Sequence, residues 1–200
     1  KRGIMVPMET QITSLLDDLG AKAARIRYGA SKRLMLLSES KPGDLYPYWD
    51  RFVELLSSSY RILRWNAAHI LANLTAVDDV RRFDAIFNLF FEPVDGDNMI
   101  SAANVIGASP AIVRARPDLL PKVLERIFRV NKAKYQTATC RDIAIGHACA
   151  ALGQMELPDR EKSKAIQFAQ SHLKNDRNGT VKKAQNLLKQ LGLPMRSGKR

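Results

Sequence analysis

Arg64-Trp65-Asn66-Ala67-Ala68-His69-Ile70-Leu71-Ala72-Asn73-Leu74 places Ala67, Leu71 and Leu74 at helical spacing, giving one apolar face that is small enough at Ala67 for a second helix to approach closely. The arrangement recurs along the chain. Ala30 is followed by Leu34 and Leu37, Ala102 by Ile106, Ala148 by Leu152, and Ala184 by Leu188 and Leu191. These alanines lie 37, 35, 46 and 36 residues apart, within the period of repeats built from two helices. Each is preceded by another amphipathic stretch, and no alternating β-branched run of strand length interrupts them. An all-α fold follows.

Reading outward from this stretch gives five units at about 8–39, 45–76, 80–113, 118–154 and 158–191. The first pairs Ile12, Leu15, Leu16 and Leu19 with a second helix through Ala23, Ile26, Ala30, Leu34 and Leu37, and Lys41-Pro42-Gly43-Asp44 reads as a turn. The second has Trp49, Phe52, Val53 and Leu56 on its first helix, with Ser57-Ser58-Ser59 placed to accept bonds from the free N–H groups of the next. In the third, Phe83, Ile86, Phe87 and Phe90 precede a Glu92–Asp97 loop, and Asp97 is the expected N-cap. Ser109-Pro110 is expected to begin a short extra turn. The fourth joins a helix through Leu120, Val123, Leu124 and Ile127 to an Ala- and Gly-rich helix from about Thr137 to Gln154. The fifth turns at Asn178-Gly179. We expect a single domain over 1–193 and a basic flexible tail over 194–200.

The chain has 200 residues, 46% of them hydrophobic and 26% charged, as in an ordinary globular protein. Its apolar runs, such as Ile86 to Phe91 with Asn88 inside it, are far shorter than the roughly 20 residues that cross a bilayer. Pro7 and Glu9 interrupt the N-terminal stretch too early for a secretory signal. Cys140 and Cys149 sit nine residues apart on one predicted helix, which separates their backbones by about 13 Å, beyond the roughly 7 Å reach of a disulfide. No membrane association and a reducing, cytoplasmic location are therefore expected.

The net charge is +12 and is unevenly spread: +4 over residues 1–41, −1 over 42–78, −3 over 79–113 and +12 over 114–200. An excess of this kind suits an acidic partner.

Several stretches resemble HEAT or HEAT-like armadillo-type repeats. They are Asp118-Leu119-Leu120-Pro121 before a helix, Arg64 to Leu74 followed by Asp78, and Val181-Lys182-Lys183-Ala184 leading to Leu187-Leu188-Lys189-Gln190-Leu191-Gly192. The resemblance implies a right-handed superhelical solenoid of about five antiparallel helix pairs. It also implies an Asp–Arg pairing between adjacent repeats, which shows here only as Asp78 with Arg64 in one unit, and a concave face lined by the second helix of each pair.

On that face and beside it, the candidate binding residues are Arg61, Arg64, Trp65, Lys134, Arg141, Arg177, Lys182 and Lys183. Lys122, Arg126 and Arg129 form a second group, spaced i, i+4 and i+7 on one helix. Such a basic stripe neutralises phosphates or acidic side chains; a solvated face of long side chains over the core has the same pattern. Trp65 shares its helix face with Arg61 and His69, as either a contact for a partner or a residue packed between repeats. HEAT-like alkylpurine DNA glycosylases are basic solenoids of similar length, and the likeness to them would cast Trp65 and Asp142 as the cleft aromatic and carboxylate.

No catalytic, metal or cofactor residues are assigned. Cys140 and His147 lie two turns apart, too far to share one zinc, and Asp95-Gly96-Asp97-Asn98 has too few correctly spaced oxygens for a calcium loop. The Asn73-Leu74-Thr75 and Asn178-Gly179-Thr180 matches to a glycosylation signal are read as chance. The expected function is a non-enzymatic scaffold for an acidic protein or peptide, with nucleic-acid binding as the alternative.

Overall fold

The computed structural model describes residues 7–193, so the expected basic tail at 194–200 lies outside the described residues. All regular structure among the described residues is helical. The chain divides into two compact units, Lys1–Phe90 and Phe91–Arg200, with the boundary inside one helix.

The first unit contains α1 (Met8–Asp18), α2 (Ala24–Ser40), the single turn α3 (Pro42–Leu45), α4 (Trp49–Leu55), α5 (Arg61–Leu74) and the start of α6 (Arg82–Asp95). Pro42 begins α3 instead of a turn, because proline's fixed φ and missing N–H suit the first helical position. Trp49, Phe52, Phe83 and Phe90 are fully buried, each contributing about 1.5–3 kcal/mol of transfer free energy. Phe83 meets Phe87 and Phe90 edge to face, with centroids 6.2 and 5.1 Å away. Ile26, expected in the core, is 48% exposed; it shares the face of buried Ala30 and Leu34 but lies in the first turn of α2.

Helices α2 and α5 lie side by side, tied by two bonds of the same kind. Asn66 Nδ2 donates to Ser31 Oγ at 2.8 Å, and Asn73 Nδ2 donates to Ser38 Oγ at 2.9 Å. The donors are two turns apart on α5 and the acceptors two turns apart on α2, so the helices run parallel and in register. Asn73 is thereby occupied within the fold.

Asp78 does not pair with Arg64. Its carboxylate accepts from the backbone N–H of Arg82 at 2.9 Å, from that of Phe83 at 2.8 Å and from the Tyr46 hydroxyl at 2.6 Å. The first N–H groups of a helix have no acceptor within it, and buried Asp78 supplies one for α6. Arg64 turns back instead and donates from Nη1 to the Ser58 carbonyl at 3.1 Å. The expected serine cap is displaced as well: Ser58 Oγ accepts from Tyr60 N–H at 3.2 Å, outside α5, whose N-cap is Tyr60.

The second unit holds the end of α6, then α7 (Met99–Ala115), α8 (Leu120–Phe128), α9 (Ala138–Leu152), α10 (Asp159–Ser171) and α11 (Asn178–Gln190). Asn98, one residue beyond the expected Asp97, caps α7 by accepting from Ser101 N–H at 2.9 Å. The helix then runs unbroken through Ser109-Pro110. Pro110 has no N–H for the Ile106 carbonyl, but the Ser109 hydroxyl donates to that carbonyl at 2.7 Å, so the acceptor is satisfied and no extra turn forms.

Helix α9 packs against both α7 and α11. Its small residues make this possible: a Cβ on Gly146 would fall 3.2 Å from Lys183 Cδ and 3.3 Å from Thr180 Oγ1. Buried Thr180 donates to the Asp142 carbonyl at 2.7 Å, fixing α11 against the first turns of α9. Asn178 and Gly179 belong to the first turn of α11 and do not form the expected reversal.

Candidate partner-binding faces

At the N-terminal ends of α2 and α5, positive charge and aromatic rings interleave. Arg27 is 6% exposed and lies over the Tyr60 ring at 3.7 Å, and its Nη1 donates to the Ala21 carbonyl at 2.6 Å. Its guanidinium also lies over the Tyr28 ring, 4.9 Å from the centroid. Arg25 and Arg61 are exposed, Arg64 and Trp65 half-buried. Neither helix has a side-chain cap or an acidic residue in its first turn, so the partial positive charge of each terminus adds to the arginines. Tyr60 is 45% exposed. The signal for it, a tyrosine directly before the organising helix, is visible in the sequence but has no periodic meaning there.

The first-turn pattern extends further. Helices α1, α3, α4, α6 and α10 each carry Asp or Glu in the first turn, whereas α2, α5, α7, α9 and α11 carry none. Helix α8 also lacks one, its Asp118 lying in the preceding 3₁₀ turn.

In the second unit the sequence-predicted residues separate into two groups. Lys122 and Lys134 are exposed, but Arg126 on α8 and Arg129 at its C-cap are neutralised within the fold. Asp95 Oδ2 accepts from Arg126 at 3.2 Å and from Arg129 at 3.0 Å, and Arg129 also bonds Glu125 at 3.1 Å. The bonds from Glu125 and Asp95 raise the Arg129 pKa further. The i, i+4, i+7 stripe is therefore not an open phosphate track: Asp95, at the end of α6, occupies most of it.

Arg141 is exposed in the first turn of α9, Arg177 is the N-cap of α11, and Lys182 is exposed on α11. Lys183 is half-buried beside Gly146. Burial, and then Lys183 and Arg177, hold the His147 pKa below its ordinary value, leaving the imidazole neutral. Asp142 serves as a tie: its Oδ1 accepts from Asn175 Nδ2 at 2.7 Å while its carbonyl takes the Thr180 bond. Cys140 and Cys149 are free thiols, and burial pushes Cys149 up to about 12.

Among the described residues no helix is long and apolar enough to cross a membrane, and no group of three or more His, Cys, Asp or Glu is placed to hold a metal ion. Compared with known proteins, the chain matches no family model and no curated sequence.

Proposed function

We propose that the chain is a non-enzymatic HEAT-like scaffold, a right-handed solenoid of about five helix pairs. In this reading it receives an acidic protein or peptide on the N-terminal ends of the second helix of each pair. The observation that carries it is the first-turn pattern. Each of α2, α5, α7, α9 and α11 lacks an acidic first turn, and four of them bear basic side chains at or near that end: Arg25 and Arg27, Arg61 and Arg64, Arg141, and Arg177 with Lys182 and Lys183. Helix termini and cations of one sign reinforce each other and draw in carboxylates. The parallel register of α2 and α5 supports the solenoid. Free thiols accord with a cytoplasmic setting.

A second reading, nucleic-acid binding, draws on Tyr60 and Trp65 among the arginines, since bases stack on such rings. The base-excision variant of it would need Asp142, which is engaged by Asn175.

The test is fluorescence anisotropy with a labelled polyglutamate peptide and a labelled DNA strand, from low to physiological salt. The scaffold reading expects peptide binding that Arg61→Glu abolishes and Lys122→Glu leaves intact. DNA binding alone at physiological salt, with a steep salt slope, would put the second reading first.

A further inference from the structure

A cleft of about 530 Å³ opens within the second unit where α7 and α9 end, lined by Pro110, Val113, Pro117, Leu120, Met155 and Leu157. We infer that it is a preformed groove for an extended segment of a partner protein that presents an apolar side chain next to a carboxylate. This site is separate from the basic helix ends and stands whether or not they bind anything.

The walls are fixed before any ligand arrives. Pro110 is held inside α7 by the Ser109 to Ile106 bond. The 3₁₀ turn Pro117–Leu119 is clamped by a fork in which Arg116 Nε and Nη2 meet the two Asp118 oxygens, each at 2.8 Å. Pro158, on the rim, is the N-cap of α10. A rigid groove spares the ordering cost of binding, and the volume lies in the range of ligand sites, roughly 300–1,000 Å³. Met155 gives one wall the adaptability that thioethers bring.

The polar groups at the rim select the occupant. Arg114 is exposed in the last turn of α7 and is one of the residues that line the cleft, a cation for a carboxylate. Helix α7 stops at Ala115, and Pro117 has no N–H to give the Val113 carbonyl the bond that a continued helix would supply. That carbonyl suits a backbone N–H of an extended segment. Glu156 stands on the α9 side of the lining. A purely anionic ligand would be repelled there, and a peptide that offers N–H donors together with one carboxylate would not.

The experiment is selection of a random-peptide phage library on the immobilised full chain, followed by titration of the labelled winning peptide. Expected are sequences that place Asp or Glu beside an aliphatic or aromatic residue, with affinity lowered at least tenfold by Arg114→Glu and by Gln154→Trp, which covers the cleft from its exposed rim. Arg61→Glu, on α5, leaves that affinity unchanged. Two results overturn the inference: no enriched sequence, or enriched peptides indifferent to both cleft substitutions. Binding of the anionic dye anilinonaphthalenesulfonate that the cleft substitutions abolish, with no peptide enriched, would also overturn it in favour of a small-molecule site.

Discussion

The guanidinium of Arg27 lies 3.7 Å from the centre of the Tyr60 ring, although 33 residues separate them in sequence and Arg27 is almost fully buried. The Nε of Arg27 has no hydrogen-bond partner, so the ring face and the Ala21 and Lys22 carbonyls are what replace water around this charge. Tyr60→Ala should therefore destabilise the fold by about 1–2 kcal/mol, while Tyr60→Phe, which keeps the ring, costs little. Urea denaturation of the three proteins measures the difference.

The Asn73 to Ser38 bond should couple α2 to α5. Ser38 Oγ donates to the Met35 carbonyl at 2.6 Å and accepts from Asn73, so Asn73→Ala leaves the serine partly satisfied and should cost about 1 kcal/mol. A double-mutant cycle with Ser38→Ala should return a coupling energy of about 0.5–1.5 kcal/mol; additive losses would mean that the bond carries nothing.

Stability should fall on mild acidification. His147 and His172 both have pKa values lowered from 6.5, chiefly by burial. Lys183 and Arg177 lower the first further, while Asp142 partly opposes the shift of the second. The unfolded chain then binds protons that the folded chain resists, so stability is full above about pH 6.5 and declines below it, until the folded-state pKa values are passed. His172 also bonds Asn131 Oδ1 at 2.8 Å and packs on Phe168. Urea midpoints between pH 7.5 and 5.5 should drop, and His147→Gln should reduce the drop.

Asp95→Asn should remove the carboxylate that Arg126 and Arg129 share, while Arg129 keeps its bond to Glu125. Exposed ion pairs of this kind contribute little to stability, so the thermal midpoint should change little. Retention on a heparin column should lengthen, because Asp95 no longer offsets the positive charge at the end of α8. Unchanged retention would mean that Asp95 does not mask that charge.

The helices were legible because burial imposes a period: Ala67, Leu71 and Leu74, or Val123, Leu124 and Ile127, are buried as their spacing requires. Helix ends were less legible, since they depend on which nearby side chain reaches an orphan N–H, and Asp78, Asn98 and Ser109 each act across a few residues or through a carbonyl that has lost its proline-blocked donor. The basic faces were half legible. Arg25, Arg61 and Arg177 follow from their positions near helix starts, but the spacing of Arg126 and Arg129 carries no trace of Asp95, 31 and 34 residues away. Tyr60 and the cleft beside Arg114 arise from tertiary packing and have no local pattern.

The most direct test of the proposed function is a titration of the isotopically labelled chain with a polyglutamate peptide, followed by backbone amide shifts at physiological salt. The account predicts shifts concentrated at residues 23–28 and 60–65 and at the starts of α9 and α11, with the amides of Lys122 to Arg129 unmoved. Shifts centred on α8, or none at all, would contradict it.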